Sequence, residues 1–309
     1  MTDKHIPVLL HEVIELLDPK PGKNYIDATL GFGGHSEAIL SAISPNGKLL
    51  GIDQDEDVMK YTKERLQKFG DRFSTVIGNF SQIDEIGRQI KVTGGILADI
   101  GVSSYQLDTP ERGFSFRDKG PLDMRMDQSS ELTASIIVNT YTEQEISKII
   151  RDFGEERFAK RIATRIVEAR KTKHLETTKE LAEIVSAAIP RKFWPDRISP
   201  ATKTFQAIRM AVNDELGSLE MFLPAAVEIL QPGARLAVIT FHSLEDKIVK
   251  GFMTKSARPC TCPPEFPKCI CEKKAKIVLV TRKPVIAAAK EIIDNPRSRS
   301  AKLRVIEKI

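Results

Sequence analysis

Hydrophobic positions in this chain follow two rhythms. Over residues 25–99 short apolar runs, most of them ending in a polar side chain, alternate with stretches of helical period. The runs at 25–27, 48–53, 72–77 and 95–99 read as buried strands, and those at 36–40 and 56–69 as helices. Strand and helix alternating in this way predict a doubly wound, mostly parallel α/β sheet. From residue 107 to about 199 no buried-strand pattern recurs. Apolar residues fall there at helical spacing over 142–153, 155–172 and 178–189, and Thr142-x-x-Glu145 has the form of a capping box. Strand patterning resumes at 232–241, 275–280 and 302–307. Residues 202–219 read as one helix returning the chain to the sheet, and a short amphipathic helix over 11–17 precedes everything. The expected organisation is an open sheet built from residues 1–107 and 200–309, interrupted by an inserted all-α subdomain at 108–199.

Chemistry concentrates at the predicted strand ends. Tyr25-Ile26-Asp27-Ala28-Thr29-Leu30-Gly31-Phe32-Gly33-Gly34-His35 reads as a strand, a glycine-rich turn and a helix start, a unit that holds nucleotide-like cofactors at the carboxyl edge of a parallel sheet. A dinucleotide fingerprint needs a third glycine where Ser36 stands. Asp27 places a carboxylate where a pyrophosphate would be repelled and an ammonium welcomed. The turn therefore favours an amino-acid-bearing cofactor such as S-adenosylmethionine over a dinucleotide, with an empty tight turn as the plain alternative. Asp53, about twenty residues further on, suits the two hydroxyls of a ribose, or else caps the next helix. Asn79 and Phe80 suit an adenine by hydrogen bonding and stacking, although Phe80 is equally at home in a core. Asp99 closes the fourth run.

Composition narrows the setting. The 309 residues carry a formal net charge of +5. Residues 273–309 hold eleven Lys/Arg against three acids, a basic end that suggests a polyanionic partner. No apolar run approaches membrane-spanning length and the start lacks a signal-peptide pattern, so a cytoplasmic protein with no membrane contact is expected. The four cysteines form two C-x-C pairs, Cys260/Cys262 and Cys269/Cys271, in a proline-rich loop. Four thiolates suit zinc, but the spacing is tighter than the usual C-x₂₋₄-C, and reduced thiols with no metal are the favoured reading.

Several longer blocks carry a resemblance. Asp27-Ala28-Thr29-x-Gly31-x-Gly33-Gly34-His35, Asp99-x-Gly101-Val102-Ser103-Ser104-x-Gln106-Leu107-Asp108, Gly113-Phe114-Ser115-Phe116, Leu122-Asp123-Met124-Arg125-Met126, Thr204-Phe205-Gln206-Ala207-x-Arg209, Phe241-His242-Ser243-Leu244-Glu245-Asp246 and Asn295-Pro296-Arg297-Ser298-Arg299-Ser300-Ala301-Lys302-Leu303-Arg304 resemble the ribosomal RNA small subunit methyltransferase H family. The resemblance spans nearly the whole chain. It implies a class I S-adenosylmethionine-dependent methyltransferase, a Rossmann-like open sheet with an inserted helical domain. The implied activity is methylation of the exocyclic N4 of a cytidine in the decoding centre (P site) of 16S rRNA, within the small ribosomal subunit. By resemblance Gly33, Gly34 and His35 contact the cofactor, and Asp53, Phe80, Asp99 and Gln106 complete its pocket. Other amino-methyltransferases often carry an Asn/Asp-Pro-Pro-aromatic motif after the fourth strand. Here Asp99 is followed by Ile100-Gly101-Val102, so any base-stacking aromatic comes from elsewhere.

Roles for the remaining polar residues stay paired with structural alternatives. Asp99 either accepts from the target amine or contacts only the cofactor. His242 either meets RNA or caps a helix. Arg117 and Arg125 either hold phosphates or pair with Asp118 and Asp123. Trp194 either stacks a base or packs the insertion. Arg297, Arg299, Lys302 and Arg304 are the expected phosphate contacts of the tail.

Overall fold

The computed structural model describes residues 7–196, 198–262 and 270–309. It divides into two compact units: Met1–Gly101 with Leu216–Ile309, and Val102–Glu215.

The first unit is built on a seven-stranded sheet in the order β3-β2-β1-β4-β5-β7-β6. The strands are β1 (Tyr25–Asp27), β2 (Leu49–Asp53), β3 (Phe73–Ile77), β4 (Gly95–Asp99), β5 (Arg235–Thr240), β6 (Ile277–Leu279) and β7 (Lys302–Lys308). The five strands from β3 to β5 pair in parallel, whereas β7 runs antiparallel to both β5 and β6. This is the open, mostly parallel α/β sheet that the strand pattern leads one to expect.

Why these runs form central strands is visible in their alternation. Ile26, Leu50, Ile52, Ile96, Ala98, Leu236 and Val238 point into one core. Tyr25, Leu49, Leu97, Ala237 and Ile239 point into a second, on the opposite face. With a side-chain period of two, a strand covered on both faces must be apolar throughout. Leu219, Phe222 and Leu223, on the helix Glu215–Ile229, cover the first face. Val13 and Leu17, with Ile39 and Leu40, cover the second. The chain lays down β1, β2 and β3 in one direction and then crosses back to place β4 on the other side of β1. A crevice outside the carboxyl ends of β1 and β4 follows from that reversal, and open α/β sheets bind ligands there.

The second unit is helical, with the helices Ala134–Thr140, Glu143–Gly154, Ala159–Thr172, Thr178–Ala188 and Thr202–Val212. Its own core holds Ile137, Ile146, Ile150, Ile162, Ile166, Leu181, Val185, Phe205 and Ile208. Thr142 with Glu145, and Thr177 with Glu180, form reciprocal capping boxes. Two expected helices differ. The one read from residue 155 begins at Ala159, because Glu155 takes a left-handed backbone (φ 48°) that ends the preceding helix. The one read over 202–219 breaks after Val212, and Phe205, Ile208 and Val212 pack in the helical unit's core. At the break Asn213 donates to Met124 O (2.8 Å) and accepts from Met126 N (2.7 Å), while Asp214 adopts φ 44°. An amide drawn into a loop and a left-handed residue end an α-helix whatever the periodicity suggests.

Candidate active site

The glycine turn follows β1 and is held by side chains on both flanks. Asp27 is 1 % exposed; its Oδ2 accepts from Ser36 Oγ at 2.6 Å and its Oδ1 from Thr29 N at 3.3 Å. Burial pushes its carboxyl up to about 7. Asp27 is therefore sealed into the turn rather than offered to a ligand ammonium, a correction to the expectation from sequence. Ser36, the residue that breaks the dinucleotide fingerprint, is its internal hydrogen-bond partner. Gly33 sits at φ 74° and begins the helix Gly34–Ala42; a Cβ there would meet Thr62 Cγ2 at 2.6 Å and Leu66 Cδ1 at 3.0 Å. Only glycine fits such a left-handed, crowded position.

Asp53, at the end of β2, accepts from Gly31 N (2.8 Å) through Oδ2 and from Asp55 N (2.9 Å) through Oδ1. Burial raises it to about 6. The Gln54 N–H adds a third backbone hydrogen bond; a carboxylate offers about four acceptor positions, so the backbone fixes Asp53 without exhausting it.

Asp99, at the end of β4, is the most perturbed of the three. Its backbone N–H donates to Thr29 Oγ1 at 2.6 Å, which ties the ends of β1 and β4 together. Burial, then the charges of Asp27 and Glu245, push its carboxyl up to about 8. Its Oδ1 is buried and has no hydrogen-bond partner among the described residues. Its Oδ2 lies 3.9 Å from His35 Nδ1. His35 is 7 % exposed, and its Nε2 is 2.9 Å from Val8 O. A carbonyl only accepts, so Nε2 carries a proton, and in the neutral ring Nδ1 turns its lone pair toward Asp99.

The other expected residues divide. Asn79 donates to Gln54 Oε1 (3.0 Å) at the β2/β3 edge. Phe80 meets Phe222 edge-on, with centroids 5.3 Å apart, and leans on the core. His242 caps the helix Ser243–Ala257, and Glu245 returns the bond to the His242 and Phe241 N–H groups. Sequence reading missed Glu245, although His242-x-x-Glu245 has capping-box spacing. Buried to 1 % exposure, it is one of the two charges that raise Asp99. Gln106 belongs to the helical unit, where it forms a capping box with Ser103. Arg117 is exposed there. Arg125 binds Asp123 through two nitrogens and the carbonyls of Gln128 and Ser130 through a third, so its guanidinium is committed to its own loop. Trp194 donates from Nε1 to Ile189 O at 2.9 Å.

In the basic tail, Arg297 and Arg299 are exposed. Lys302 and Arg304 instead converge on Asp246, at 3.1 Å and 2.7 Å, and Arg304 is only 7 % exposed. An inward, buried guanidinium paired with the partly buried Asp246 carboxylate does not serve a phosphate, so Arg304 leaves the set of expected RNA contacts. Cys260, Cys262 and Cys271 converge in the loop before β6, while Cys269 lies outside the described residues. Among the described residues no helix is long and apolar enough to cross a membrane.

Asp53 and Asp99 at the strand ends, the latter with an unsatisfied oxygen, stand beside a tight glycine turn and suit a ligand that carries hydroxyls and amines. Comparison with known proteins shows the family. The family model of the MraW methylase family matches residues 2–309. A ribosomal RNA small subunit methyltransferase H from Heliobacterium modesticaldum is 52 % identical over 100 % of both chains. One from Symbiobacterium thermophilum is 51 % identical over 100 % of this chain and 98 % of its own, and one from Geobacter sulfurreducens is 50 % identical over 100 % of both.

Proposed function

Because this chain belongs to the MraW methylase family, we propose that it methylates the exocyclic N4 of a cytidine in 16S rRNA, at the decoding centre (P site) of the small ribosomal subunit. The cofactor is S-adenosylmethionine, which when bound supplies an electrophilic methyl group on a sulfonium. The site residues fit it: Asp53 would take the ribose hydroxyls, the turn Gly33–His35 would line the amino-acid end, and Phe80 with Asn79 the adenine edge. A substrate of this kind implies a cytoplasmic enzyme.

The observation that carries this reading is the buried, unpartnered Oδ1 of Asp99. A cytosine N4 lone pair is delocalised into its ring and is a poor nucleophile. An acceptor for one of its N–H bonds localises that lone pair, and the methylated amine then has a proton to shed. Asp99 is suited to both tasks as acceptor and base. In the ligand-free protein it is held neutral to about pH 8. A sulfonium bound beside it would favour its ionised form, so Asp99 would gain acceptor strength when the site is loaded. His35 Nδ1, 3.9 Å from Oδ2, gives the proton a second resting place, and Thr29 fixes the backbone of Asp99. No metal is needed for transfer; positioning does most of the work.

Labelled methyl transfer onto small-subunit particles, compared with naked RNA, DNA and protein, tests the substrate, and mass analysis of digested RNA identifies the nucleoside. At saturating cofactor Asp99→Ala should lose about 10²–10⁴ in turnover, the range for a positioned acid or base. Full turnover would leave Asp99 a cofactor contact only. Methyl on a ring carbon or ribose would overturn the N4 assignment.

A further inference from the structure

The methyl-transfer site makes no use of the cysteines, and these lie together. Cys260, Cys262 and Cys271 place their Sγ atoms all within 4.8 Å of one another. The first two follow the helix Ser243–Ala257, and the third precedes β6. Thiols about a dozen residues apart in sequence thus meet at the neck of a loop whose base is closed by Lys276 N donating to Ser256 O.

We propose that this neck binds a zinc ion through the thiolates of Cys260, Cys262 and Cys271. Zinc–sulfur bonds of about 2.3 Å in a tetrahedron hold their sulfurs about 3.8 Å apart, so closing the observed triad on a metal needs shifts of about 1 Å or less. A disulfide would consume only two of the three sulfurs. Soft thiolates favour zinc over magnesium or calcium, which take oxygen ligands. The surroundings already suit anionic sulfur. The Ile270 N–H donates to Cys262 Sγ at 3.4 Å, a backbone bond that stabilises a thiolate and orients it. Lys273 reaches Thr261 Oγ1 at 3.3 Å, which brings an ammonium to the same turn. Binding exchanges thiol protons for the metal, with no change of oxidation state, and the protons pass to solvent.

The spacing of Cys260 and Cys262 is tighter than the usual C-x₂₋₄-C, but the backbone here already brings both of their sulfurs within 4.8 Å of each other and of Cys271. A metal there would cross-link the end of a helix to the start of an edge strand, a structural task separate from catalysis. The fourth position of a tetrahedral site lies outside the triad, open to water or a further ligand.

Full-length protein purified without chelator should carry about one equivalent of zinc by elemental analysis. Cys260→Ser, Cys262→Ser and Cys271→Ser should each fall below a tenth of an equivalent while still binding S-adenosylmethionine. Should a variant fail to fold, wild-type protein stripped by chelator and titrated with cobalt answers the same question. It should develop the sulfur-to-cobalt absorption of tetrahedral thiolate ligation, bleached by added zinc, and zinc should slow proteolysis within residues 258–276 several-fold. Wild-type protein with less than a tenth of an equivalent and no cobalt absorption overturns the proposal. So does full zinc retained by all three variants.

Discussion

Replacing Asp99 by Asn should make the ligand-free protein's stability less sensitive to alkali. The folded carboxyl titrates near 8, against about 3.9 in an unfolded chain. The raised value means that the group's stabilising contribution is complete below about pH 3.9 and is lost as pH rises through 8. Between pH 6 and pH 9 the folded protein must give up a proton that the unfolded chain has already lost. About two pH units of that interval lie below the folded pKa, at about 1.36 kcal/mol each, which gives a loss of about 2.7 kcal/mol. Asp99 keeps 24 % of its side chain exposed, and solvent screening makes this figure a ceiling. Asn has the same shape and no charge, so the variant escapes the loss. Asp27 and Asp53 are present in both proteins and cancel in the difference. Urea unfolding followed by far-UV circular dichroism at the two pH values, for both proteins without cofactor, measures it. Wild type should lose up to about 2.7 kcal/mol relative to the variant. A stability gap that does not move with pH would refute the buried, charge-crowded environment assigned to Asp99.

Asp53→Ala should weaken S-adenosylmethionine binding by about 1.5–3 kcal/mol, or roughly 10- to 150-fold, through loss of charge-assisted hydrogen bonds. Calorimetry showing unchanged affinity would remove the ribose assignment. In the tail, converting Arg297 and Arg299 together to Gln should reduce the salt slope of RNA binding by about 1.4, at about 0.7 per phosphate contact on single strands. Arg304→Ala should act differently, costing about 1.5–3 kcal/mol of stability by urea titration because it strips the partly buried Asp246 carboxylate of a charged hydrogen-bond donor and leaves it Lys302. An unchanged salt slope in the double variant would take the exposed tail out of RNA binding.

The sheet was legible because its strands obey one rule. Residues such as Leu49-Leu50 and Ile96-Leu97-Ala98 must satisfy two cores at once, which leaves short apolar runs that little else produces. The capping box at Thr142 and Glu145 was legible because it is a local contact three residues long. The end of the helix at Val212 was not, since it depends on Asn213 reaching Met124 and Met126, almost ninety residues earlier. Arg304 was misread for the same reason: its basic neighbours in sequence suggested phosphate, while its partner Asp246 lies on a helix read nowhere in the apolar pattern. Local charge density describes a tail; it does not say which of its members face inward.

The same limit explains the aspartates. Asp27, Asp53 and Asp99 all end parallel strands, and in sequence they look equivalent. Register separates them. Asp27 pairs with Gly51 and Leu97, two positions short of Asp53 and Asp99, so its strand ends deeper in the sheet. At that depth a carboxylate has to be satisfied internally, and Ser36 and Thr29 do so. Asp53 reaches the edge but is held by three backbone N–H groups, those of Gly31, Gln54 and Asp55, which leaves it partly available. Asp99 reaches the edge, feels both Asp27 and Glu245, and keeps one oxygen without a donor. One residue type at three strand ends thus becomes a structural anchor, a fixed acceptor and a perturbed carboxyl with an unpartnered oxygen. The charge of Asp27 is part of what raises Asp99, so Ser36, which looked like a defect in a nucleotide fingerprint, helps to set the environment of Asp99.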